Sequence, residues 1–138
     1  MSGAILQGVP ATTLDTDLWV NLPSRNYMQM INLALAQGAS MVANTVVELS
    51  DNTLVNFVYE TTGLESFDAE YRRSPSIRWS GMPIKVLRLD RIAVSKRATG
   101  RPKDIAHLPL LETVIAAQRL TARTRAKKKP ALGKNRRA

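Results

Sequence analysis

The stretch that decides the fold is TTLDTDLWV, residues 12–20, in which two aspartates lie one residue apart at the start of a run of strand formers. Side chains alternate along a strand, so Asp15 and Asp17 project from one face with Cβ atoms roughly 6–7 Å apart. Two carboxylates that close repel each other unless a cation lies between them. Mg²⁺ prefers oxygen ligands, often one or two carboxylates plus substrate phosphates. The pair therefore predicts a Mg²⁺–nucleotide site, the alternative being two solvated aspartates near a strand end.

Patterned segments outside this strand predict an α+β fold, a small mixed β-sheet backed by helices. Turn-forming residues separate short runs rich in β-branched and aromatic residues, and helical spacing recurs between them. The predicted strands are 14–22, 41–49, 54–60, 77–79 and 84–87. The predicted helices are 26–37, 66–72, 90–98 and 102–118, the last kinked or split by Pro109.

Composition excludes several classes of protein. The chain has 138 residues, enough for one sizeable core, and it contains no cysteine. Disulfides, zinc–thiolate sites and thiol nucleophiles are therefore excluded. No apolar run approaches the length of a membrane span, and the N-terminal residues lack a signal-peptide pattern. We expect a cytoplasmic protein with no membrane partner.

The net charge of +9 is concentrated at one end of the chain. Nine of the 20 basic residues lie between Arg119 and Ala138, where there is no acidic residue, and the other 11 balance the 11 acidic residues of 1–118. We therefore predict a domain over residues 1–118 and a basic, disordered tail over 119–138. Such a tail attracts RNA or DNA phosphates without reading their sequence, or is a solvated extension with no specific role.

A second group of cations lies at a predicted helix junction. Lys96, Arg97, Arg101 and Lys103 cluster there, and Lys96 or Arg101 can meet substrate phosphates, for which arginine offers a bidentate fork. The alternative is a solvated basic face whose ion-pair partners are Asp90 and Asp104. His107, the single histidine, supports neither a metal cluster nor a catalytic relay, and we predict an ordinary helix residue there.

The residues around the aspartate pair resemble a known family. GVPATTLDTDLWV (8–20) resembles the Gly-x-x-x-x-Thr-x-Asp-x-Asp-Leu segment of minimal nucleotidyltransferases, small relatives of the polymerase-beta superfamily. The resemblance continues through 49–71 and 81–112, and its most specific part is the ending Lys96…Gly100-Arg101-Pro-Lys103-Asp104. Many small nucleotidyltransferase-like proteins of this kind are linked to toxin–antitoxin or phage-defence loci.

The resemblance implies a nucleotidyltransferase-like fold and a reaction. Asp15 and Asp17 would hold Mg²⁺ with a nucleoside triphosphate, and a nucleotide would pass to a protein or RNA acceptor. An antitoxin or a second copy of the chain is a further expected partner. The expected catalytic residues are Asp15, Asp17 and Asn56, and the expected nucleotide-binding residues are Thr13, Lys96, Arg101 and Lys103.

Three departures from the family pattern bear on activity. The Gly-Gly or Gly-Ser loop that precedes the aspartate strand would fall at or before Met1-Ser2, so we expect an N-terminally truncated relative. Ala11 stands where some relatives carry arginine. Asn56 aligns with the third carboxylate and cannot act as a general base. Two hypotheses stay open: an active nucleotidyltransferase, or a catalytically degenerate binding protein that contacts nucleic acid through its basic tail.

Overall fold

Strands and helices follow one another along the chain without a repeating order. The computed structural model describes residues 1–21 and 24–129, and for residues 24–26 the backbone alone. The strands are β1 (Asp15–Trp19), β2 (Ser40–Ala43), β3 (Val46–Glu48), β4 (Leu54–Val58), β5 (Ser76–Trp79) and β6 (Met82–Lys85). The helices are α1 (Ser2–Ile5), α2 (Ser24–Ala36), α3 (Phe67–Arg73), α4 (Leu89–Thr99) and α5 (Pro102–Lys128). The predicted α+β class with a small mixed sheet is confirmed.

The main sheet has the strand order β1-β4-β3-β2. β1 lies at an edge and pairs parallel with β4, whereas the other neighbours are antiparallel. In the parallel register Asp15 faces Leu54 and Asp17 faces Asn56. Residues paired in this way share a face of the sheet, so both aspartates lie on the Asn56 face.

Helix α2 covers the opposite face. Val55 and Phe57 of β4 point toward it and are buried, as the alternation of the strand requires. Ile31 of α2 packs against them together with Val47 of β3. The ring of Tyr27 meets Phe57 edge-on, with centroids 6.4 Å apart. This core fixes which face of the sheet remains polar.

A second core joins the helices to the N-terminal segment. Leu89 and Ala93 of α4 pack on Leu111 of α5, and Ala4 and Val9 close the cluster. A tight turn connects α4 to α5. Gly100 has the left-handed conformation (φ 63°), and its N–H donates to the Lys96 carbonyl, as at many helix ends. Pro102 then begins α5, as the sequence predicted.

The C-terminal helix is longer than predicted. Residues 119–128, expected to be disordered, continue α5 without a break to Lys128. Helix propagation adds one hydrogen bond per residue once a helix is nucleated, and alanine, leucine, arginine and lysine favour it. The basic side chains in the last turn also complement the helix dipole. Pro109 lies inside α5 and does not split it. The predicted disorder of residues 130–138 lies outside the described residues.

One predicted strand is in fact two. Residues 41–49 were expected to form a single strand, but the chain reverses after Ala43 and β2 pairs antiparallel with β3. Asn44 is a turn-forming residue, and its carbonyl accepts a hydrogen bond from the Tyr27 hydroxyl. The pattern of apolar residues alone could not reveal this turn. Among the described helices none is long and apolar enough to cross a membrane.

A close approach between a loop and α4 generates a stability prediction. Gly63 has φ +78°, and a Cβ added there would lie 2.5 Å from the Cβ of Ala98. Gly38 has φ +88°, but a Cβ there would meet no atom within 4 Å. We expect Gly38→Ala to cost about 1 kcal/mol of unfolding free energy, from backbone strain alone. Gly63→Ala should cost about 3 kcal/mol, because a clash is added to the strain. Urea unfolding measures both, and equal losses would contradict the packing described here.

Candidate functional site

The two aspartates lie at the exposed edge strand, on the face opposite α2. Both side chains are exposed. The amide nitrogen of Asn56 donates to Asp17 Oδ1 over 3.4 Å, a long hydrogen bond between neighbouring parallel strands. The structure therefore brings together three residues that the sequence predicted for one site. The amide bond orients the Asp17 carboxylate and leaves its second oxygen for a ligand.

Thr13 shapes the entry to β1. Its hydroxyl donates to the Asp15 carbonyl over 3.1 Å and accepts from the Asp15 N–H over an N···O distance of 3.4 Å. These local bonds hold the backbone just before the first aspartate. The side chain is exposed, and its predicted contact with a nucleotide stays a prediction.

Two of the predicted phosphate ligands converge on a buried carboxylate instead. Lys96 Nζ donates to Asp104 Oδ1 over 3.0 Å, and Arg101 Nε donates to Oδ2 over 2.6 Å. Asp104 is only 1% exposed. The ion pairs that the sequence offered as the alternative are thus formed with Asp104, whereas Asp90 pairs with Arg88. Contact of Lys96 or Arg101 with a nucleotide remains a prediction.

The charge on Asp104 is maintained by its partners. Burial by itself would raise the pKa of Asp104, but the hydrogen bonds from Arg101 and Lys96 lower that pKa to about 2. The carboxylate is therefore ionised at neutral pH. It connects the end of α4 with the first turn of α5 and fixes the position of both cations.

The basic cluster lies close enough to Asp17 for their charges to act on each other. The hydrogen bond that Arg101 donates to Asp104 raises the pKa of Arg101, and the charge of Asp17 adds to this rise. Burial lowers the pKa of the Met1 amino group, which Lys96 lowers further and Asp17 raises. Lys103 acts on the same amino group and is exposed. The carboxylate of Asp17 thus lies near the guanidinium of Arg101.

His107 belongs to this neighbourhood, which its sequence context did not reveal. Burial lowers the pKa of His107, and the nearby charge of Lys96 lowers it further, so the ring is neutral at pH 7. Its Nδ1 is buried without a hydrogen-bond partner among the described residues. The same holds for Nε1 of Trp19, which is on the Asp17 side of β1. No sequence signal distinguished these atoms, because their isolation depends on packing.

A buried ion pair beside the site was also missed. Glu70 of α3 is 1% exposed, and Arg91 of α4 donates to both of its oxygens, the shortest bond measuring 2.7 Å. The hydrogen bonds from Arg91 lower the pKa of Glu70. The two residues are 21 positions apart, so spacing gave no indication of the pair. It locks α3 onto α4, and we assign it a structural role.

The donor set at β1 suits a hard cation bound together with a ligand. Within the described residues no three His, Cys, Asp or Glu side chains gather as a metal site. Asp15 and Asp17 nevertheless offer two hard oxygen donors on one strand face, which is what Mg²⁺ requires when water and phosphates complete its shell. The residues present therefore fit Mg²⁺ carried by a polyphosphate better than a metal enclosed by protein.

Two grooves lie on other parts of the molecule than the aspartate pair. One open groove runs between α5 and the end of α1, beside Gln7, Ala117 and Arg125. Another runs between α4 and α5, beside Arg97 and Glu112. Neither groove is lined by Asp15 or Asp17, whose side chains are exposed.

No protein-family model matches the chain, and no curated protein matches it.

The buried Asp104 generates a pH prediction. Its pKa in the folded chain, about 2, lies below the ordinary value of 3.8. Its stabilising contribution is therefore complete above about pH 4 and is lost as the pH falls toward 2, a change of about 2 kcal/mol. Asp104→Asn should lower the unfolding free energy at pH 7 by about 3 kcal/mol, because Lys96 and Arg101 lose their counter-charge. Denaturant unfolding between pH 2 and 7 measures both effects.

The matched control is Glu112→Gln, which removes an exposed pair with Arg97. It should change stability by less than about 1 kcal/mol at any pH. If Asp104→Asn and the unsubstituted chain lost the same stability between pH 4 and 2, Asp104 would not be the titrating group.

Proposed function

We propose that the chain is a nucleotidyltransferase-like protein that binds a Mg²⁺–nucleoside triphosphate through Asp15 and Asp17 and transfers a nucleotide to a protein or RNA hydroxyl. The observation that carries the proposal is the juxtaposition of Asp17 with Asn56 on adjacent parallel strands. The family resemblance pairs the same positions. The neighbouring cations at Arg101 and Lys103 supply the opposite charge that a triphosphate needs.

Each residue of the proposed site has a separate task. Asp15 and Asp17 would hold Mg²⁺, which neutralises the triphosphate and favours in-line attack. Asn56 orients the Asp17 carboxylate through its amide. Arg101 is held by Asp104 through Nε and Nη2, and its side chain is 57% exposed, so its outer edge can face a phosphate.

The proposed transfer forms one bond, breaks one bond and releases one leaving group. An acceptor hydroxyl oxygen forms a bond to the α-phosphorus, the bond to the β-phosphate breaks, and pyrophosphate leaves. Asn56 is neutral and cannot take the acceptor proton. That proton must pass to one of the two aspartates or to solvent. We therefore expect slow transfer, limited by the absence of a third carboxylate at position 56.

Substitution of the pair tests the proposal. Asp17→Asn should weaken binding of Mg²⁺–ATP at least tenfold and abolish incorporation of labelled nucleotide, because one hard oxygen ligand is lost. Calorimetry with ATP and Mg²⁺ measures binding, and gel assays with mixed RNA and protein acceptors measure transfer. Asn56→Asp should increase transfer by restoring a carboxylate.

Glu112→Gln is the matched control, since it removes one carboxylate that pairs with Arg97 on the helices. It should leave nucleotide binding unchanged. Equal Mg²⁺–ATP affinity in Asp17→Asn and the unsubstituted chain would overturn the proposed site. Binding of Mg²⁺–ATP that Asp17→Asn weakens, combined with no transfer by any variant, would favour the degenerate binding protein.

A second candidate function, nucleic-acid binding through α5, has its own observation. Every residue from 116 to 129 is exposed, and the chain has no acidic residue after Glu112. Arg119, Arg123 and Lys127 recur at helical spacing and form a cationic stripe on this part of α5. A rigid stripe of this kind suits the phosphates of a duplex, bound without sequence readout.

Salt dependence tests this second function. Replacing Arg119, Arg123 and Lys127 together by alanine should reduce the slope of log affinity against log salt by about 2 to 3, because each phosphate contact contributes about 0.9. Fluorescence anisotropy of a labelled DNA duplex between about 50 and 200 mM salt measures the slope. Arg97→Ala, which removes a cation already paired with Glu112, is the control. A triple variant with an unchanged slope would refute the role of the stripe.

A further inference from the structure

Residues 1–118 are neutral as a whole, but one segment within them has an excess of basic residues. The segment 71–89 contains five basic residues and no acidic one. Arg73 and Arg88 at its ends pair with Glu65 and Asp90. Arg78 and Lys85, in the β5–β6 hairpin, form no ion pair within the part of the chain that the structure describes. The hairpin is therefore a cationic surface separate from α5.

A two-residue turn places one of these cations at the hairpin tip. Ser80 and Gly81 both have positive φ, 50° and 78°, the signs of a type I′ turn, which matches the twist of paired strands. The guanidinium of Arg78 donates from Nη2 to the Gly81 carbonyl over 2.8 Å. This bond holds the Arg78 charge beside the turn, next in sequence to Trp79.

The hairpin also exposes an aromatic ring at the same tip. Trp79 pairs with Met82 across the strands, and the two side chains are 59% and 65% exposed. Ile77 and Ile84, the next pair along the same face, are only half-buried, and neither belongs to the two buried cores. The indole is thus an accessible flat surface at the end of an apolar strip.

The base of the hairpin is fixed to the rest of the domain. Lys85 Nζ donates to the Ser74 carbonyl over 3.0 Å and lies 5.2 Å from the centroid of the Tyr71 ring. Tyr71 stacks on Phe67, which meets Trp19 of β1 edge-on. Trp79 is therefore presented by an anchored ribbon, so the backbone that carries it loses little further freedom on binding.

We propose that the β5–β6 hairpin binds single-stranded nucleic acid, with one base stacked on Trp79 and a neighbouring phosphate at Arg78, whose guanidinium lies beside the turn. Unpaired bases expose their faces, and stacking on an aromatic ring combined with cations along the backbone is how such strands bind without sequence preference. A duplex hides those faces. The site is independent of the aspartate pair and goes beyond the proposed transfer reaction.

The charge of the hairpin favours a nucleic acid over a second copy of the chain or a lipid bilayer. A second copy of the chain would bring the same cations against Arg78 and Lys85, so self-association through the hairpin is repelled. Insertion into a lipid bilayer needs an apolar tip, but this tip carries Arg78 with the polar Ser80–Gly81 turn. A polyanion that exposes flat apolar faces fits both the cationic charge and the exposed indole of the hairpin.

Tryptophan fluorescence and anisotropy with a labelled oligouridylate of about 15 nucleotides test the proposal. Binding should quench the emission of Trp79. Trp79→Ala should weaken binding about 5- to 100-fold, the loss of one stacked base, and Trp79→Phe should retain most of the affinity while the quenching disappears. Trp79 is exposed, so these variants should fold, which circular dichroism checks.

Met82→Ala is the matched control, because it removes exposed apolar area from the same face without a ring. It should change the affinity less than twofold. The triple alanine variant of α5 should alter the salt dependence but leave the quenching at saturation intact, which separates this site from the helix.

Three results would overturn the proposal: equal affinity of Trp79→Ala and the unsubstituted chain, equal losses in Trp79→Ala and Met82→Ala, or no quenching at saturation. A change in sedimentation mass or in binding to anionic phospholipid vesicles caused by Trp79→Ala, with oligouridylate affinity unchanged, would instead assign the tip to a protein or lipid contact.

Discussion

The parallel pairing of β1 with β4 is the constraint on which the rest of the structure depends. The pairing places the edge strand in one register, with Thr16 and Leu18 on the side that α2 covers and Asp15 and Asp17 on the other. A shift by one residue would turn both carboxylates toward the apolar core, where isolated charge is costly. The burial of Val55 and Phe57 therefore determines where the acidic pair lies.

Two buried carboxylates hold the helical half of the molecule together. Asp104 links the end of α4 to the start of α5, and Glu70 links α3 to α4. Both remain ionised because arginine or lysine donors reach them directly, which is the condition under which a buried charge can be tolerated. Asp104 also holds Arg101 within reach of the charge of Asp17.

The proposed surfaces are chemically distinct. The aspartate pair is acidic and suits a cation carried by phosphates, whereas α5 and the β5–β6 hairpin are basic. The hairpin alone of these three carries an exposed indole. A protein that used all of them would hold a nucleic acid on its basic surfaces while a nucleotide is bound at β1. The nucleic-acid binding proposed for the basic surfaces does not depend on the aspartate site.

The sequence by itself determined the α+β class, the position of most elements, the shared face of Asp15 and Asp17 and the turn from Gly100 to Pro102, because these follow from periodicity and backbone preference between near neighbours. It did not determine that α5 continues to Lys128. The composition of residues 119–138 predicted disorder, but a helix that is already anchored propagates through good helix formers. Only the tertiary structure decided the pairing of Glu70 with Arg91, the burial around His107 and the exposure of Trp79. Each of these depends on which segments, distant in sequence, pack against one another. The spacing of residues within one segment carries no information about that packing.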